Sequence, residues 1–338
     1  MIVYGDIIGN QPDWADMVTN VEMRETPFLD WLPGATKPVN TVKHYQAEKY
    51  RLPVDNRHAD GAPVVGFASA GDSRAELVAR VQYSTKAASV SRLHQDVSDV
   101  AGINDELAHE IDKQTKELST DIEAYCLDNK EAVVGDNANG SGTRSVVSWL
   151  STSSHSVDDF NSSFRPTTAN VNSSATSTNL TENNVLDILQ SIGKTTKSKE
   201  PVFCLAGPSL KRTFNNMPLF TPGSAINGSP TGATGIIYTK PLEGRAIDRV
   251  MERYNSDFMP VDLALSYWNM ALTGSATQQN YYGYFLHQSR WALAWEKSGK
   301  PQWYRKPYQG GSYEAFCEAI WMLVCWNPQG EGLLAISS

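Results

Sequence analysis

Apolar residues at Ile103, Leu107, Ile111, Leu118, Ile122 and Tyr125 recur near a 3.6-residue period, with Glu, Asp, Lys and Gln filling the positions between them. That spacing gathers one apolar stripe and predicts an amphipathic helix over 104–130. Gly102 precedes it, Asn104 is the expected N-cap, and Asp105 and Glu106 lie where the helix dipole favours acids. A helix of that length extends roughly 40 Å and would span a whole domain. A second amphipathic helix opens at Thr181 and runs through Val185, Leu186, Ile188, Leu189 and Ile192. After it come a buried-strand run at Val202-Phe203-Cys204-Leu205, a short helix over 208–217 and a Gly/Pro/Thr/Ser loop over 218–235. Residues 247–265 read as a strand pair broken at Asn255-Ser256-Asp257, and 144–150 as a strand. From Tyr281 the chain is aromatic and strand-like, ending in the apolar run 317–326. Long strands and few helices, without regular alternation, predict an α+β fold.

Two stretches lack the apolar residues, or the room, for a core of their own. Residues 1–40 carry Trp14, Met17, Val18, Val21, Phe28, Leu29, Trp31 and Leu32 between Pro12, Pro27, Pro33 and Pro38. Prolines at that density allow one short helix, over 13–19, and otherwise an extended arm that must lie on something else. Residues 44–51 and 77–91 read as two long strands around a tip containing Asp55, Arg57, Asp60 and Gly61. A two-stranded hairpin alone is marginal in water, and ordering it costs about 1–2 kcal/mol of backbone entropy per residue. Stable order therefore requires another body, most simply a neighbouring copy. The charges along the hairpin, Glu48, Lys49, Arg51, Asp55, Arg57, Asp60, Arg74, Glu76 and Arg80, are of mixed sign. They fit either a solvated face or a self-complementary contact in which one copy's acids meet another's bases. The candidate contacts between copies are Trp14, Phe28, Trp31, Glu48, Arg51, Asp55, Arg57, Asp60, Arg74 and Glu76.

Residues 151–180 are almost all Ser, Thr, Asn and Asp and read as a polar surface insertion. The sequons at Asn161 and Asn172 read as accidents of that composition, since no secretion signal opens the chain. With 338 residues the chain can hold two modest domains with extensions. Its net charge of −8, without a basic stripe, argues against gripping nucleic acid by phosphate neutralisation. It suits a surface lying near packed DNA without adhering, and solubility explains it as well. Cys126, Cys204, Cys317 and Cys325 contain no Cys-x-x-Cys pair and read as buried thiols of a reducing compartment. No apolar stretch reaches the length of a membrane span.

Signatures of catalysis are missing where spacing would reveal them. His109-Glu110 begins like a zinc-protease motif, but Lys113 stands where the second imidazole is needed. Gly193-Lys194-Thr195 ends like a phosphate-binding loop, but Ile188 replaces its first glycine inside an apolar helix face. No catalytic, cofactor or metal residue is assigned. The aromatics Trp291, Trp295 and Trp303, with Tyr281, Tyr282, Tyr284 and Tyr304, could stack on sugars, though core or interface is the commoner use.

The order of arm, charged hairpin, long helix and strand-rich body resembles a tailed-phage capsid subunit. The local phrases Met17-Val-Thr-Asn-Val21, Glu25-Thr-Pro-Phe-Leu29, His44-Tyr-Gln-Ala-Glu48 and Asp60-Gly61 resemble the opening of the capsid family typified by phage SU-ten. Val90-Ser91, Asp121-Ile-Glu123, Tyr254-Asn-Ser-Asp-Phe258 and the stretch from Glu318 to Asn327-Pro328 continue the likeness in the same order. The resemblance implies a Hong Kong 97-like fold and a division into an N-terminal arm (1–40), an extended loop (41–95), a peripheral domain with a spine helix (96–150), an axial domain (181–285) and return strands (286–338). The insertion 151–180 has no counterpart in it. It further implies a virion protein that assembles in the host cytoplasm as pentamers and hexamers, encloses double-stranded DNA, and works with a separate or already removed scaffold, a portal and decoration proteins. An encapsulin-like compartment shares the fold, and a glycan-binding phage surface or tail protein would use the C-terminal aromatics instead.

Overall fold

The computed structural model describes residues 22, 24–34, 42–50, 53, 55, 57–61, 63, 74–97, 105–136, 138–176, 180–216, 252–296, 301–308 and 310–336. In chain order the elements are α1 (Pro27–Trp31), β1 (Val42–Glu48), β2 (Arg74–Arg80), β3 (Gln82–Ser91), α2 (Arg92–Val97), α3 (Glu106–Cys126) and α4 (Val146–Trp149). They continue as β4 (Val171–Asn172), α5 (Glu182–Thr196), β5 (Val202–Ala206), α6 (Pro208–Asn216), β6 (Arg253–Asn255), β7 (Pro260–Leu265), α7 (Ala276–Tyr281) and β8 (Gly283–Leu286). The last are β9 (Trp291–Trp295), β10 (Gln302–Arg305), β11 (Ser312–Cys325) and β12 (Gly332–Leu334). Mixed helices and largely antiparallel sheets make the fold α+β.

The long helix forms as its periodicity predicts, but one residue later and shorter. Asp105, not Asn104, is the N-cap: its side chain accepts from Ala108 N at 3.0 Å, and that bond holds its carboxyl below the usual range. Asn104 lies outside the described residues. The apolar stripe of α3, Leu107, Leu118, Ile122 and Cys126, is buried against a four-stranded sheet in which β11 pairs with β3 on one side and with β10 and β9 on the other. Ala88 and Val90 of β3, Ala315 of β11 and Leu107 close the far end of that layer. Polar residues share the helix because Thr115, Ser119 and Thr120 return their hydroxyls to the carbonyls four residues back.

A six-stranded sheet, ordered β4-β12-β8-β5-β7-β6, carries a second core. Val185, Ile188, Leu189 and Ile192 of α5 pack on it, fully buried, as their spacing predicts. Asn184 Oδ1 accepts from both the backbone and hydroxyl of Thr181, fixing the start of α5. Gly332 lets β12 pass beneath α5; a Cβ there would lie 2.6 Å from Ile188 Cγ2.

Several expected elements are corrected. The strand expected over 77–91 is two strands in different sheets: β2 pairs with β1, and β3 with β11. The inward side changes parity between them, from Ala75, Leu77, Ala79 and Val81 to Ala88 and Val90, so one flat strand cannot bury both sets. The strand expected over 144–150 is α4, because Val146, Trp149 and Leu150 bury at helical spacing behind the Ser145 cap. The polar stretch 151–180 is part of the body. Phe160 and Phe164 enter the main core, β4 pairs in parallel with β12, and buried Asn170 donates to the carbonyls of Gln329 and Glu331. The last return strand, β12, joins the six-stranded sheet rather than the layer of β11. In the arm, the described helix is α1 at Pro27–Trp31; the one expected over 13–19 lies outside the described residues, as does the loop over 218–235.

Candidate functional site

The two stretches expected to join copies, the arm and the hairpin, are each rooted in the body by a different device. The arm is rooted through α1. Its exposed backbone amides meet the carboxylate of Glu123 on α3: Phe28 N donates to Oε1 at 2.9 Å and Leu29 N to Oε2 at 2.8 Å. This places an acid at a helix N-terminus, the arrangement the dipole favours. Glu123 is fully enclosed, and burial pushes its carboxyl up to about 7, with the two amide bonds opposing. Phe28 is fully buried beneath α1, and Trp31 stacks on Phe203 with ring centroids 4.6 Å apart. Trp268 Nε1 donates to Glu25 O at 2.8 Å and Gln288 Nε2 to Trp31 O at 2.7 Å, while Leu293 N donates to Pro33 O. Phe28 is thus corrected as a contact between copies: its own subunit encloses it. Trp31 also spends its face within the subunit, and Trp14 lies outside the described residues.

The hairpin is rooted through β1 and β2. Ala75, Leu77 and Ala79 face inward and join the main core, so its base has more private packing than its sequence suggests. The Tyr45 hydroxyl donates to Cys325 O, and burial raises its pKa well above the ordinary phenol value. Arg80 forms a two-pronged pair with Asp158, with Nη2 to Oδ1 at 2.8 Å and both side chains largely buried. Asp158 holds a left-handed φ of 51° to present that carboxylate. Lys49 Nζ lies 4.7 Å above the Phe164 ring and donates to Ser163 O. Beneath this socket Arg144 is buried, its guanidinium 4.7 Å from the Trp149 ring and donating Nη2 to Val157 O at 2.8 Å; burial lowers its pKa. The segment expected to be a free insertion therefore builds the hairpin's socket.

Along the hairpin, the predicted charges find partners within the copy. Glu48 and Arg74 are opposite each other across the hairpin at 3.4 Å, and Glu76 meets His44 at 2.6 Å. Arg57 Nε bonds Asp55 at 2.9 Å. Asp60 is exposed at the turn, where Gly61 adopts a φ of 78°, and Arg51 lies outside the described residues. These pairs are exposed and weak, so they remain open to exchange.

Sequence reasoning passed over Glu123, Tyr45, Arg144 and Asp158. Glu123 carried a readable signal: a carboxylate between Ile122 and Ala124 on the inward side of the helix. Asp158 carried none, being one of many polar residues in its segment.

The two motif fragments noted in the sequence do not become sites. His109 and Lys113 sit on α3, and Gly193–Thr195 lie within α5, where the backbone amides are committed to the helix. Among the described residues no group of His, Cys, Asp and Glu side chains is placed to hold a metal, and no helix is long and apolar enough to cross a membrane. Of the aromatics considered for sugar stacking, Trp291, Tyr282 and Tyr284 are core residues and Trp303 is tied inward by a 2.9 Å bond to Thr115, while Tyr304 is exposed and stacks on Phe316.

A family model described as SU10 major capsid protein matches residues 2–314. Comparison with curated proteins gives no match. Among solved structures, the chain is similar to the capsid of a native GTA particle, with a TM-score of 0.61 at 11% identity, covering 99% of this chain and 98% of that one. A structure of Mycobacterium phage Bobi gives a TM-score of 0.61 at 8% identity over 100% and 99% of the two chains. The capsid of Myoviridae phage XM1 gives 0.56 at 9% identity over 100% and 99%. These likenesses speak for the fold.

Proposed function

The chain belongs to the SU10 major capsid protein family, and on that footing we propose that it builds a tailed-phage head as pentamers and hexamers closed around double-stranded DNA. In this reading residues 1–40 are the arm and 41–95 the extended loop. The layer of α3, β3 and β9–β11 is the peripheral domain, and the six-stranded sheet with α5 and α6 is the axial domain. The hairpin lies over one neighbour and the arm beneath another, and many weak contacts sum to a closed shell because each contact raises the effective concentration for the next. Scaffold, portal and decoration proteins are its partners, the host cytoplasm is where it assembles, and it performs no catalysis.

The observation that carries this reading is the hairpin: its base is locked into the body, while the described residues of its charged tip, Asp55, Arg57, Asp60 and Gly61, are exposed and join none of the core clusters. Such a projection gains stable order only from a second body. Deleting 53–72, which spares the buried Ala75, is expected to leave a folded subunit that forms no shells. Sedimentation velocity with electron microscopy, on the chain alone and with its genomic neighbours, reads the outcome. Closed shells from the deleted chain would overturn the role of the loop.

A further inference from the structure

A groove of about 1030 Å³ lies where the hairpin base, the end of α5 and the turn after β11 meet. Its walls carry Lys49, Lys194 and Lys197, and among the described residues no carboxylate pairs with any of the three. Glu48, the acid in the same wall, is already opposite Arg74. The groove also exposes Tyr50 completely and Trp326 to 37%. Lys43 Nζ stands 6.0 Å from the centroid of the Trp326 ring and adds a fourth cation, so three lysines without a carboxylate partner beside exposed aromatic surface call for an acidic, partly apolar occupant.

The chain itself contains a segment of that character. Residues 1–22 hold Asp6, Asp13, Asp16 and Glu22 with no Lys, Arg or His, interleaved with Ile2, Val3, Tyr4, Ile7, Ile8, Trp14 and Met17. Glu22, its one described residue, lies away from the groove in its own copy. Going back from Phe28 to Glu22, the chain moves along α3 from Glu123 to the cleft beside His109, Lys113 and Lys116, toward the start of that helix. Between Glu123 and that cleft the helix stands level with Cys317, because Lys86, which pairs with Cys317, meets Asp121 and Glu117. The groove begins at Trp326, roughly 30 Å farther along β11. In contrast to the groove lysines, Lys113 and Lys116 are paired with Glu110 and Asp112.

We propose that this groove receives the acidic arm, residues 1–22, of a second copy of the chain. The inference rests on the reading of the protein as a self-assembling shell subunit and names the surface the arm would occupy. The lysines supply the attraction and its salt dependence, and Tyr50 and Trp326 supply the apolar contact that fixes register.

Two experiments on the full chain test it. In the Asp13→Cys/Lys194→Cys variant, mild oxidation of assembled particles is expected to give a ladder of chain multimers on a non-reducing gel. The native thiols Cys126, Cys204, Cys317 and Cys325 are buried and give no such background. Monomer alone, or a compact intrachain species, overturns the proposal in favour of an empty groove or the copy's own arm. Independently, a fluorescent peptide of residues 1–22 is expected to bind the full chain saturably at low salt. Binding should weaken at least tenfold in the Lys49→Glu/Lys194→Glu/Lys197→Glu chain and return there with an Asp13→Lys/Asp16→Lys peptide. Equal binding to both chains overturns the groove assignment. A chain that forms no particles but binds the peptide with this charge dependence would sink the capsid reading while leaving the groove in place.

Discussion

The arm and the hairpin leave the same body, yet one is held by a group that titrates near neutrality and the other by groups that do not. Glu123 anchors α1 with a carboxyl that burial pushes up to about 7. The hairpin's anchors are a phenol whose pKa burial raises further and an Arg80–Asp158 pair in which the guanidinium is held more firmly charged by its partner. Near-neutral changes of pH should therefore reach the arm through Glu123 and leave these two hairpin anchors untouched. In a shell whose two projections make different contacts, that would let one class of contact be adjusted alone.

The largest expected effect tests whether the arm's root belongs to the body at all. Phe28→Ala empties a fully enclosed aromatic site and is expected to cost about 3–5 kcal/mol in denaturant unfolding of the unassembled chain. A loss below about 1 kcal/mol would mean that α1 frays independently, and the comparison between two rooted projections would collapse.

Next in size is the pH dependence. Because the carboxyl of Glu123 has a higher pKa folded than unfolded, the native chain binds its proton more tightly. Its contribution is then most favourable below the unfolded value of 4.5, declines as pH rises towards about 7, and is flat above. The span amounts to about 3 kcal/mol as an upper figure, from the linkage of pKa to free energy. Acids held low, such as Asp105, act in the opposite sense and in a lower window, losing their contribution as pH falls below about 4. Glu123→Gln should remove the decline between pH 5 and 7.5. It should also expose amides of 27–30 to faster hydrogen exchange, since an amide side chain offers one acceptor where two are needed. A slope unchanged by the substitution would assign the pH dependence elsewhere.

The same contrast explains what the amino-acid pattern could and could not reveal. The α3 and α5 stripes, the run Val202-Phe203-Cys204-Leu205 and the long β11 were legible because a buried face repeats at 3.6 or 2 residues, or is apolar throughout. The break at Val81 was harder to read, because β-propensity is uniform across it and only the parity of the inward residues changes. At 146–150, the β-branched Val146 and Val147 masked a helical spacing of Val146, Trp149 and Leu150. The sockets were least legible. Arg80–Asp158, Tyr45–Cys325 and Lys49–Phe164 join residues distant in sequence, and their chemistry is one-to-one rather than periodic. The polar segment 151–180 was misjudged for that reason: a few enclosed residues, Phe160, Phe164 and Asn170, fix it among many that are exposed.

A smaller effect checks the hairpin side. Tyr45→Phe keeps the ring and removes one buried hydrogen bond to Cys325 O, an expected loss of about 1 kcal/mol. The loss should be the same at pH 5.5 and pH 8, measured by denaturant midpoint at constant slope. A loss that varied with pH over that range would show that the hairpin's root also senses protons, and the two projections would no longer differ in kind.

The smallest effect on the subunit is the one that separates folding from assembly. Arg74 and Glu48 face each other at 3.4 Å with both side chains about half exposed, so solvent screens them and the pair adds about 0–1 kcal/mol to the isolated chain. Arg74→Ala should then shift the unfolding midpoint hardly at all. If the hairpin charges instead exchange partners with a neighbour, the same substitution is repeated at every contact of the shell, and a fraction of a kcal/mol per contact multiplies across the lattice. The expected result is a near-normal monomer whose assembly, followed by light scattering against protein concentration, begins only at a several-fold higher threshold. An unchanged threshold would assign Glu48 and Arg74 to the solvated face of the hairpin, leaving Asp60 and the tip to make the contact.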